Sequence, residues 1–475
     1  MSAPNQPRFS GATGLIAGGL MLLSSPAYAA EHPVASAREI AALNDRLVPG
    51  DSLVLADGDW TNQVIRFQAR GTATQPITLR PQTAGKVVLT GNSSVTVDGE
   101  FLVVTGLWLD QAQASSDGFK LAGRNNRLTE CAIVGGRHKF FVHLYGVSNR
   151  VDHCYLAGKT NDSPTLQVEV GSEPNHHQID HNHFGPRPPL GRNGGETIRV
   201  GYSHQSLSNS ASLVELNLFD RCDGELEIIS NKSGANVYRG NTFLDCAGTL
   251  TLRHGNRCVV EGNFFLGHHK RGTGGIRVIG EDHRIVNNYL DGLETGGLWL
   301  TTGMTEPKLA EYFQVRNCLI AFNTFADVRG PVLELDAGFR APRRVLRPER
   351  VILANNVFDV CAGGALMTGT EGGNFQWRGN LANVAPADAQ GIRVVDLKLA
   401  RARDGLWRPP PGSPVHGAAE GEFPQVKRDF DGQPRTGKLD IGSDQVSDAP
   451  ITSRPLTAAD VGPGWMDRND GKPSK

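Results

Sequence analysis

Short apolar segments built around one central position recur along most of the chain. They read LTECAI, VDHCYL, IDHNHF, VELNLF, YRGNTF, VEGNFF, IVNNYL, IAFNTF, LANNVF and WRGNLA. Most neighbouring segments are about 22 to 28 residues apart, and the others are about 33 to 35 apart where a loop is inserted. We call the shared central position the ladder position, and its residues are Cys131, Cys154, Asn182, Asn217, Asn241, Asn263, Asn288, Asn323, Asn356 and Asn380.

This repeat predicts an all-β fold, namely a single right-handed parallel β-helix. The segments are short and β-rich, and no helical periodicity separates them, which is typical of solenoid coils. Asparagines that stack from coil to coil can hydrogen-bond along a turn, as side-chain ladders do in other stacked sheets. We therefore expect one solenoid domain over residues 30–408.

Both ends of the solenoid are predicted to be covered. The segment SAREIAALNDRL (36–47) has apolar residues at helical spacing after a serine, which indicates a helix over the open first coil. At the other end, the prolines of WRPPPGSPVHG (407–417) interrupt the repeat. Residues 409–475 are expected to form an irregular C-terminal extension with a disordered tail.

The seven cysteines follow the same register. Cys222, Cys246 and Cys361 lie five residues after a ladder asparagine, Cys258 and Cys318 lie five before one, and the other two occupy the ladder position. This predicts seven small buried side chains in the coil interior. A disulfide between neighbouring coils, such as Cys222 with Cys246, is the alternative. The sequence contains no C-x-x-C spacing, so the cysteines do not indicate a metal site.

The first residues have the features of an export signal. Arg8 precedes the apolar run GLIAGGLMLL, and Ala27-Tyr28-Ala29 fits a small-residue cleavage site. The run is too short to span a bilayer, so residues 1–29 are predicted to be a signal peptide of a periplasmic or secreted protein. The formal net charge is −1, so we expect neither nucleic acid nor a membrane as a partner.

Polar residues of neighbouring coils predict an elongated binding surface. Aligning the coils superposes the pieces GETIR (195–199), GELE (224–227), GTLT (248–251), GGIR (274–277) and GGLW (296–299). Coils are roughly 4.8 Å apart, so their last residues should form an outward column about 20 Å long. That column is Arg199, Glu227, Thr251, Arg277 and Trp299. Arginines bind carboxylates and tryptophan stacks on sugar rings, which suits a linear anionic polysaccharide.

Two glutamates suggest a metal site beside this column. Glu225 and Glu227 alternate with apolar residues, so a strand would place both carboxylates on one face. With Asn193 and Glu196 of the preceding coil they supply hard oxygen ligands, which Ca²⁺ prefers. A salt-bridge network between these carboxylates and Lys232 is the alternative interpretation.

Four long motifs carry a family resemblance. They are NGGETIRVG (193–201), DGELEIISNKSGANVYRGNTF (223–243), LTLRHGNRCVVEGNFF (250–265) and GGIRVIGEDHRIVNNYL (274–290). They resemble polysaccharide lyase family 6, which includes alginate lyases and the dermatan-cleaving chondroitinase B. The resemblance extends from the N-terminal helix to about residue 383 and implies a right-handed parallel β-helix.

The resemblance also implies roles for individual residues. Lys232 matches the Brønsted base of the family, Arg253 its proposed acid, and Arg277 a substrate-binding arginine. The calcium ligands that it implies are Asn193, Glu196, Glu225 and Glu227. The implied cofactor is Ca²⁺, the implied partner is an anionic polysaccharide such as alginate, and we expect a monomer.

The chemistry of β-elimination explains why such residues are needed. Removing the C5 proton of a uronate builds a doubly charged enolate, so a cation must first neutralise the carboxylate. A nearby cation and partial desolvation lower the pKa of a lysine, which lets Lys232 accept that proton. A guanidinium hardly ever releases a proton. Arg253 is therefore expected to stabilise the departing O4. Water or a tyrosine such as Tyr202 would then deliver the proton to that oxygen. The alternative is that Arg253 itself donates the proton.

The substrate-binding set predicted from the sequence is Arg199, Tyr202, His254, Arg277 and Trp299. Within this set, His254 is interpreted as a substrate contact, an orienting hydrogen-bond partner or a structural histidine.

The leading interpretation is an exported, Ca²⁺-dependent alginate lyase that leaves an unsaturated uronate at the non-reducing end. A dermatan sulfate lyase is the first alternative, with Lys270, Arg271 and the run RHK (137–139) as candidates for sulfate binding. A non-catalytic polysaccharide-binding β-helix is the second alternative, although it would not require Lys232 and Arg253. An epimerase is the third. The choice between mannuronate and guluronate, and between endo and exo cleavage, depends on loop shapes that the sequence leaves open.

Overall fold

The structure is a computed structural model that describes Met1, residues 29–385 and residues 391–466. The predicted signal peptide therefore lies outside the described residues except for Met1 and Ala29, and so does the end of the predicted tail, residues 467–475. No helix within the described ranges is long and apolar enough to cross a membrane.

Three long sheets are built from short strands, and within each sheet the strands of successive coils pair in parallel. The first sheet contains β1 (Glu31–Val34), β2 (Ser52–Leu55), β5 (Ile77–Pro81), β8 (Leu102–Thr105), β11 (Arg127–Thr129), β14 (Arg150–Asp152), β17 (Gln178–Asp180), β20 (Leu213–Glu215), β23 (Val237–Arg239), β26 (Val259–Glu261), β29 (Arg284–Val286), β32 (Leu319–Ala321), β35 (Ile352–Ala354) and β38 (Gln376–Arg378).

The second sheet will matter most for function. It contains β4 (Val64–Arg70), β7 (Ser94–Glu100), β10 (Phe119–Arg124), β13 (Val142–Leu144), β16 (Leu166–Val168), β19 (Ile198–Val200), β22 (Glu227–Lys232), β25 (Gly248–His254), β28 (Thr273–Val278), β31 (Gly296–Thr301), β34 (Leu333–Ala337) and β37 (Met367–Thr368).

The third sheet completes each coil. It contains β3 (Gly58–Thr61), β6 (Val87–Thr90), β9 (Trp108–Asp110), β12 (Ala132–Val134), β15 (Tyr155–Ala157), β18 (His183–Phe184), β21 (Leu218–Asp220), β24 (Thr242–Leu244), β27 (Phe264–Leu266), β30 (Tyr289–Asp291), β33 (Thr324–Val328), β36 (Val357–Val360), β39 (Asn380–Ala382) and β40 (Ile392–Val394). A short antiparallel hairpin follows, formed by β41 (Ala400–Arg401) and β42 (Trp407–Arg408). Three parallel sheets that each gain one strand per coil form a parallel β-helix, so the fold prediction is confirmed.

The predicted asparagine ladder is present. From Asn182 to Asn380, each ladder asparagine donates a hydrogen bond from its side-chain nitrogen to the side-chain oxygen of the next, at 2.9–3.0 Å. The same nitrogens also donate to backbone carbonyls, so these buried amides are satisfied. A stack of phenylalanines accompanies the ladder in the third sheet, with centroids 4.5–4.9 Å apart, formed by Phe184, Phe219, Phe243 and Phe265.

The cysteine prediction is correct for six positions and wrong for one. All seven cysteines are free, so the disulfide alternative is wrong, and the backbone N–H of Cys222 instead points at the Cys246 sulfur at 3.3 Å. Six are buried, whereas Cys361 is half-buried. It lies near the end of the stack, where only β39 and β40 follow in the third sheet, so fewer coils cover it.

A helix covers the first coils, as predicted. Helix α1 (Ala37–Leu43) begins after Ser36, whose hydroxyl accepts a hydrogen bond from the backbone N–H of Glu39 at 3.3 Å. The Glu39 carboxylate in turn accepts the N–H of Ala35 at 2.9 Å and the Ser36 hydroxyl at 3.1 Å, so the first turn of the helix is tied to the residues that precede it. Ile40 is fully buried against the core. Two 3-10 helices, Asn44–Arg46 and Ser203–Gln205, are the other helical segments of the described chain.

The C-terminal extension packs back along the outside of the solenoid. The N–H of Ser443 donates to the Thr324 hydroxyl in β33 at 2.9 Å. Much further back in the stack, the Trp465 indole donates to the Glu130 carbonyl at 2.7 Å. The extension therefore lies along the third sheet and its neighbouring turn, which leaves the outer face of the second sheet to the site described below.

Candidate active site

A column of outward residues crosses the middle of the second sheet. Cross-strand pairing joins Gln167, Arg199, Ser230, Thr251, Arg277, Trp299 and Glu334, one from each coil. The predicted column is correct at four of its five positions and wrong at Glu227. A register shift between Glu227 and Ile229 makes Glu227 pair with Thr249, so that Ser230 takes its place.

The strand that carries the glutamates is shorter than predicted. β22 begins at Glu227, and Leu226 is 60% exposed instead of facing the core. The predicted alternation over residues 225–228 is therefore wrong. The pairing register shifts after Glu227, and such bulges are common beside functional sites, where they change the direction of a side chain. The Ser230 hydroxyl donates a short hydrogen bond to the Glu227 carboxylate, which fixes it in place.

Three carboxylates meet at one edge of this surface. Glu196 is 1% exposed, and neither of its carboxylate oxygens has a hydrogen-bond partner among the described residues. Glu225 accepts the backbone N–H of Gly194 at 3.0 Å. Burial, together with the charges of Glu196 and Glu227, raises the pKa of Glu225 to about 7. The three side chains thus concentrate negative charge that they cannot neutralise among themselves.

Lys232 lies directly beside this cluster. Its ammonium is 3.9 Å from a Glu196 carboxylate oxygen, and its side chain is 15% exposed. Burial lowers the pKa of Lys232, and the charges of Arg199 and Arg253 lower it further, against the opposing effect of Glu196 and Glu227. A second register shift immediately precedes Lys232 and pairs it with His254. The predicted base is therefore a partly desolvated amine with cations on both sides.

Arg253 is held by a loop. Its guanidinium donates to the carbonyls of Ala310 at 3.1 Å and Glu311 at 3.3 Å, and it stacks 4.2 Å from the ring centroid of Tyr312. Burial lowers the pKa of Arg253, while Tyr312 and Glu227 raise it. The loop between β31 and β32 thus fixes the side chain that the sequence predicted as an acid or as an electrostatic catalyst.

His254 is placed behind the surface. It is 1% exposed, its Nδ1 lies 3.4 Å from a guanidinium nitrogen of Arg253, and its Nε2 has no partner within the described structure. Burial, with the charges of Arg253 and Lys232, lowers the pKa of His254 to about 3. It is therefore a neutral imidazole, and its position favours the orienting interpretation over direct contact with substrate.

Arg199 and Tyr202 form one end of the site. The Arg199 guanidinium donates to the Gln167 side-chain oxygen at 2.7 Å and lies 4.7 Å from the centroid of the Tyr202 ring. The Tyr202 hydroxyl donates to Glu169 at 2.9 Å, and the same carboxylate contacts His143 at 2.9 Å. Burial and Glu169 raise the pKa of Tyr202 to about 12. Tyr202 is therefore a weaker acid than an ordinary tyrosine.

Arg277 and Trp299 form the other end. Arg277 lies 3.7 Å from a Glu227 carboxylate oxygen, and both Arg277 and Trp299 are partly exposed. Trp299 pairs with Glu334, whose pKa is raised by burial. Asn193 is exposed next to Gly194, whose N–H binds Glu225, and the Asn193 side chain forms no hydrogen bond within the described residues.

Several residues at the site were missed by the sequence analysis. They are His143, Gln167 and Glu169 at one end, Ser230 in the centre, and Tyr312, Glu334 and Arg344 at the other end. Gln167 and Glu334 follow from the strand register, which the repeat spacing could have extended by one coil in each direction. Tyr312 and Arg344 lie in insertions that have no repeat, so periodicity gave no signal for them.

The comparison with protein families decides the relationship. The model of the chondroitinase B family matches residues 34–407. The chain belongs to the chondroitinase B family. This is the family of polysaccharide lyases numbered 6, to which several similar solved structures also belong. A search of curated proteins gives no match.

Three solved structures of family 6 illustrate the similarity. An arginine mutant of the alginate lyase AlyGC has a TM-score of 0.79 and 35% sequence identity, over 92% of this chain and 59% of that chain. A mannuronic acid specific lyase from human gut microbiota has a TM-score of 0.69 and 33% identity, over 77% and 91%. The lyase Pedsa3628 from Pseudopedobacter saltans has a TM-score of 0.72 and 25% identity, over 92% and 99%. The chain thus spans 59% of the length of the AlyGC chain.

The residues predicted to bind Ca²⁺ in this family member fit a cation. Glu196 has two buried oxygens without hydrogen-bond donors, and a buried carboxylate without partners is costly. Burial, followed by the charges of Glu196 and Glu227, raises the pKa of Glu225, so its ionised form is disfavoured where no cation is bound. Oxygen donors are the ligands that Ca²⁺ prefers, and a divalent cation would remove both penalties.

A tighter acidic cluster lies elsewhere and has a structural explanation. Within the described residues, the one group of three acids whose ligand atoms all lie within 4.8 Å of one another is Asp429, Asp431 and Asp444. Arg408 donates to Asp431 at 2.6 Å and to Asp444 at 3.0 Å. Asp429 accepts backbone N–H groups from Gln433 and Gln445. These acids therefore hold the C-terminal extension together.

Proposed function

We propose that this protein is a polysaccharide lyase that cleaves alginate by Ca²⁺-assisted β-elimination. The observation that carries the proposal is the position of Lys232. A partly buried amine with a lowered pKa lies 3.9 Å from the carboxylate of Glu196, whose two oxygens accept no hydrogen bond within the described structure. Lys232 and Arg253 stand in motifs that match the family's base and proposed acid, and the similar structures include alginate lyases.

Each residue has a task in this reaction. Lys232, as the neutral amine, takes the C5 proton of the uronate, and the electrons of that bond form the C4–C5 double bond as the bond from C4 to O4 breaks. Arg199 and Arg277 bind carboxylates of neighbouring sugar units, since a guanidinium pairs with them bidentately. Arg253 stabilises the charge that develops on O4.

Glu196, Glu225, Glu227 and Asn193 are the residues that would hold Ca²⁺. The bound ion would neutralise the uronate carboxylate and so lower the cost of forming the enolate. The glutamates also orient Lys232 and Arg277, through contacts of 3.9 Å and 3.7 Å with Glu196 and Glu227.

Dermatan sulfate is the second candidate substrate because the matching family model is that of chondroitinase B. One observation favours alginate. Lys270, a candidate for sulfate binding, donates to the Asp223 carboxylate at 2.6 Å and to the Asp245 carbonyl at 2.7 Å. An ammonium engaged in this way is a poor sulfate ligand, because binding a sulfate would break those bonds.

The Lys232→Ala variant tests the proposal. The rate at which alginate yields unsaturated uronate, measured by ultraviolet absorbance, should fall about 10²- to 10⁴-fold, because the general base is lost. Lys86→Ala removes an exposed lysine far from the second sheet and serves as the matched control. A Lys232→Ala variant that is folded and as active as the control would contradict the assignment of the base.

We also propose that the protein is exported and acts as a monomer. The proposal of export rests on the signal-like residues 1–29. The intact mass of protein recovered from periplasm or medium should correspond to cleavage after Ala29, and sedimentation should give a single-chain mass. Full-length protein retained in the cytoplasm would contradict export.

A further inference from the structure

Tyr312 is surrounded by three arginines at the edge of the candidate site. Its ring centroid lies 4.2 Å from the guanidinium carbon of Arg253, 3.9 Å from that of Arg344 and 5.9 Å from that of Arg277. The tyrosine belongs to the insertion of residues 302–318 between β31 and β32. Its carbonyl accepts the N–H of Met304 at 2.9 Å, which closes the insertion on itself. The ring is therefore held in a fixed place and not on a free loop.

These arginines change the acidity of the phenol. Burial raises the pKa of Tyr312, but the charges of Arg253 and Arg277, a hydrogen bond with Arg277 and the charge of Arg344 together bring it below its ordinary value. Arg277 also lies 3.7 Å from Glu227, so an arginine that borders Tyr312 also borders the glutamates of the site. Tyr312 combines a releasable proton with a location next to Arg253.

The other candidates for proton donation are less suitable. Arg253 keeps its proton because a guanidinium is not deprotonated in proteins. The Tyr202 hydroxyl is already donated to Glu169, and its pKa is raised to about 12. His254 is buried, with a pKa lowered to about 3, so it carries no second proton to give. Of these four side chains, Tyr312 is therefore the one with a proton available for donation beside Arg253, the residue assigned to the leaving oxygen.

We propose that the hydroxyl of Tyr312 protonates the leaving O4 while Arg253 stabilises that oxygen. This inference rests on the proposed lyase function. As Lys232 takes the C5 proton and the bond from C4 to O4 breaks, O4 receives the phenolic proton and leaves as a hydroxyl. The site then holds a tyrosinate and an ammonium. The tyrosinate regains a proton from water and Lys232 returns one to water, so protons balance over the cycle.

Three variants separate donation from positioning. Tyr312→Phe keeps the ring on which Arg253 and Arg344 stack and removes only the hydroxyl, so kcat on alginate should fall about 10²- to 10⁴-fold with little change in KM. Tyr312→Leu removes the ring as well and should also disturb Arg253. Tyr155→Phe, in the third sheet, removes a hydroxyl outside the site and should keep wild-type kcat.

A second substrate tests the role of the proton directly. The substrate is a uronate whose O4 carries a nitrophenyl group. Its leaving group is a nitrophenolate, which is stable without a proton, so Tyr312→Phe should cleave this substrate at nearly the wild-type rate. An equal loss on both substrates would overturn donation and indicate that Tyr312 only positions Arg253. Wild-type kcat on alginate in Tyr312→Phe would overturn any role for the hydroxyl. If the wild-type protein releases no unsaturated product at all, the lyase function fails instead.

Discussion

At the scale of single residues, Glu196 is the side chain whose environment most needs an additional group. It is buried, its oxygens have no hydrogen-bond donors among the described residues, and its nearest cations are Arg199 at 3.6 Å and Lys232 at 3.9 Å. Contacts of this length without hydrogen bonds compensate burial of a charge only partly. A divalent cation shared with Glu225 and Glu227 would complete the compensation.

Glu196→Gln should therefore abolish most of the stabilisation that Ca²⁺ gives to the fold. A ligand present at 100 times its Kd stabilises the native state by about 2.7 kcal/mol, which is readily seen as a shift in Tm. The wild-type protein should show a Ca²⁺-dependent rise in Tm, and Glu196→Gln a much smaller one. Glu261→Gln, on the first sheet, is the matched control. An unchanged Ca²⁺ shift in Glu196→Gln would exclude this residue as a ligand.

At the scale of elements, a second ladder runs beside the asparagine ladder. Asn126, Asn149 and His177 each lie five residues before a ladder position, and each accepts a backbone N–H from the coil before it. The Nδ1 of His177 accepts the N–H of Asn149 at 3.1 Å, and that of His283 accepts the N–H of Cys258 at 3.2 Å. These imidazoles must be neutral to accept a hydrogen bond.

Acid should weaken the solenoid through these histidines. Burial lowers the pKa of His177 to about 4, below the value of about 6.5 in the unfolded chain. The unfolded state thus binds more protons between pH 6.5 and 4, so stability falls as pH falls through that window, by on the order of 3 kcal/mol per histidine.

Urea unfolding at pH 7 and pH 4 tests this expectation. In His177→Asn the side-chain oxygen replaces Nδ1 as acceptor, so the loss of stability at pH 4 should be smaller than in the wild-type protein. His204→Asn changes an exposed histidine that does not shift the pKa of His177 and should leave the loss nearly unchanged. An equal loss in His177→Asn and the wild-type protein would contradict the role of His177.

The repeat made the elements predictable, because every coil must place the same kind of residue at the same turn. It predicted the asparagine ladder. The position five residues before each ladder residue, which Cys258 and Cys318 also occupy, carries the signal for the second ladder. It could not predict the bulges in β22, because a bulge depends on how one strand fits its neighbour. That is why the column was predicted to contain Glu227 and not Ser230, three residues later. The insertion that carries Tyr312 was missed for another reason, because it has no repeat.

At the scale of the whole molecule, two sheets have different roles: the third sheet is covered by the C-terminal extension, and the second sheet carries the candidate active site. The C-terminal extension covers the third sheet, where Phe430 stacks on Tyr289 with centroids 5.5 Å apart. On the second sheet, Lys232 and the column residues Arg199, Arg277 and Trp299 remain partly exposed. The sequence predicted the extension as irregular, but its docking depends on contacts between residues far apart in the chain, which no local pattern encodes.

The measurement that tests the central claim most directly is the ultraviolet absorbance of unsaturated uronate. The mature wild-type protein would be incubated with alginate and, in parallel, with dermatan sulfate, each with Ca²⁺ and with a chelator. We expect absorbance to rise with alginate in Ca²⁺ and to rise much more slowly with the chelator. No rise with either polymer, from a folded protein that still binds alginate, would contradict the account and show that the column on the second sheet binds polysaccharide without cleaving it.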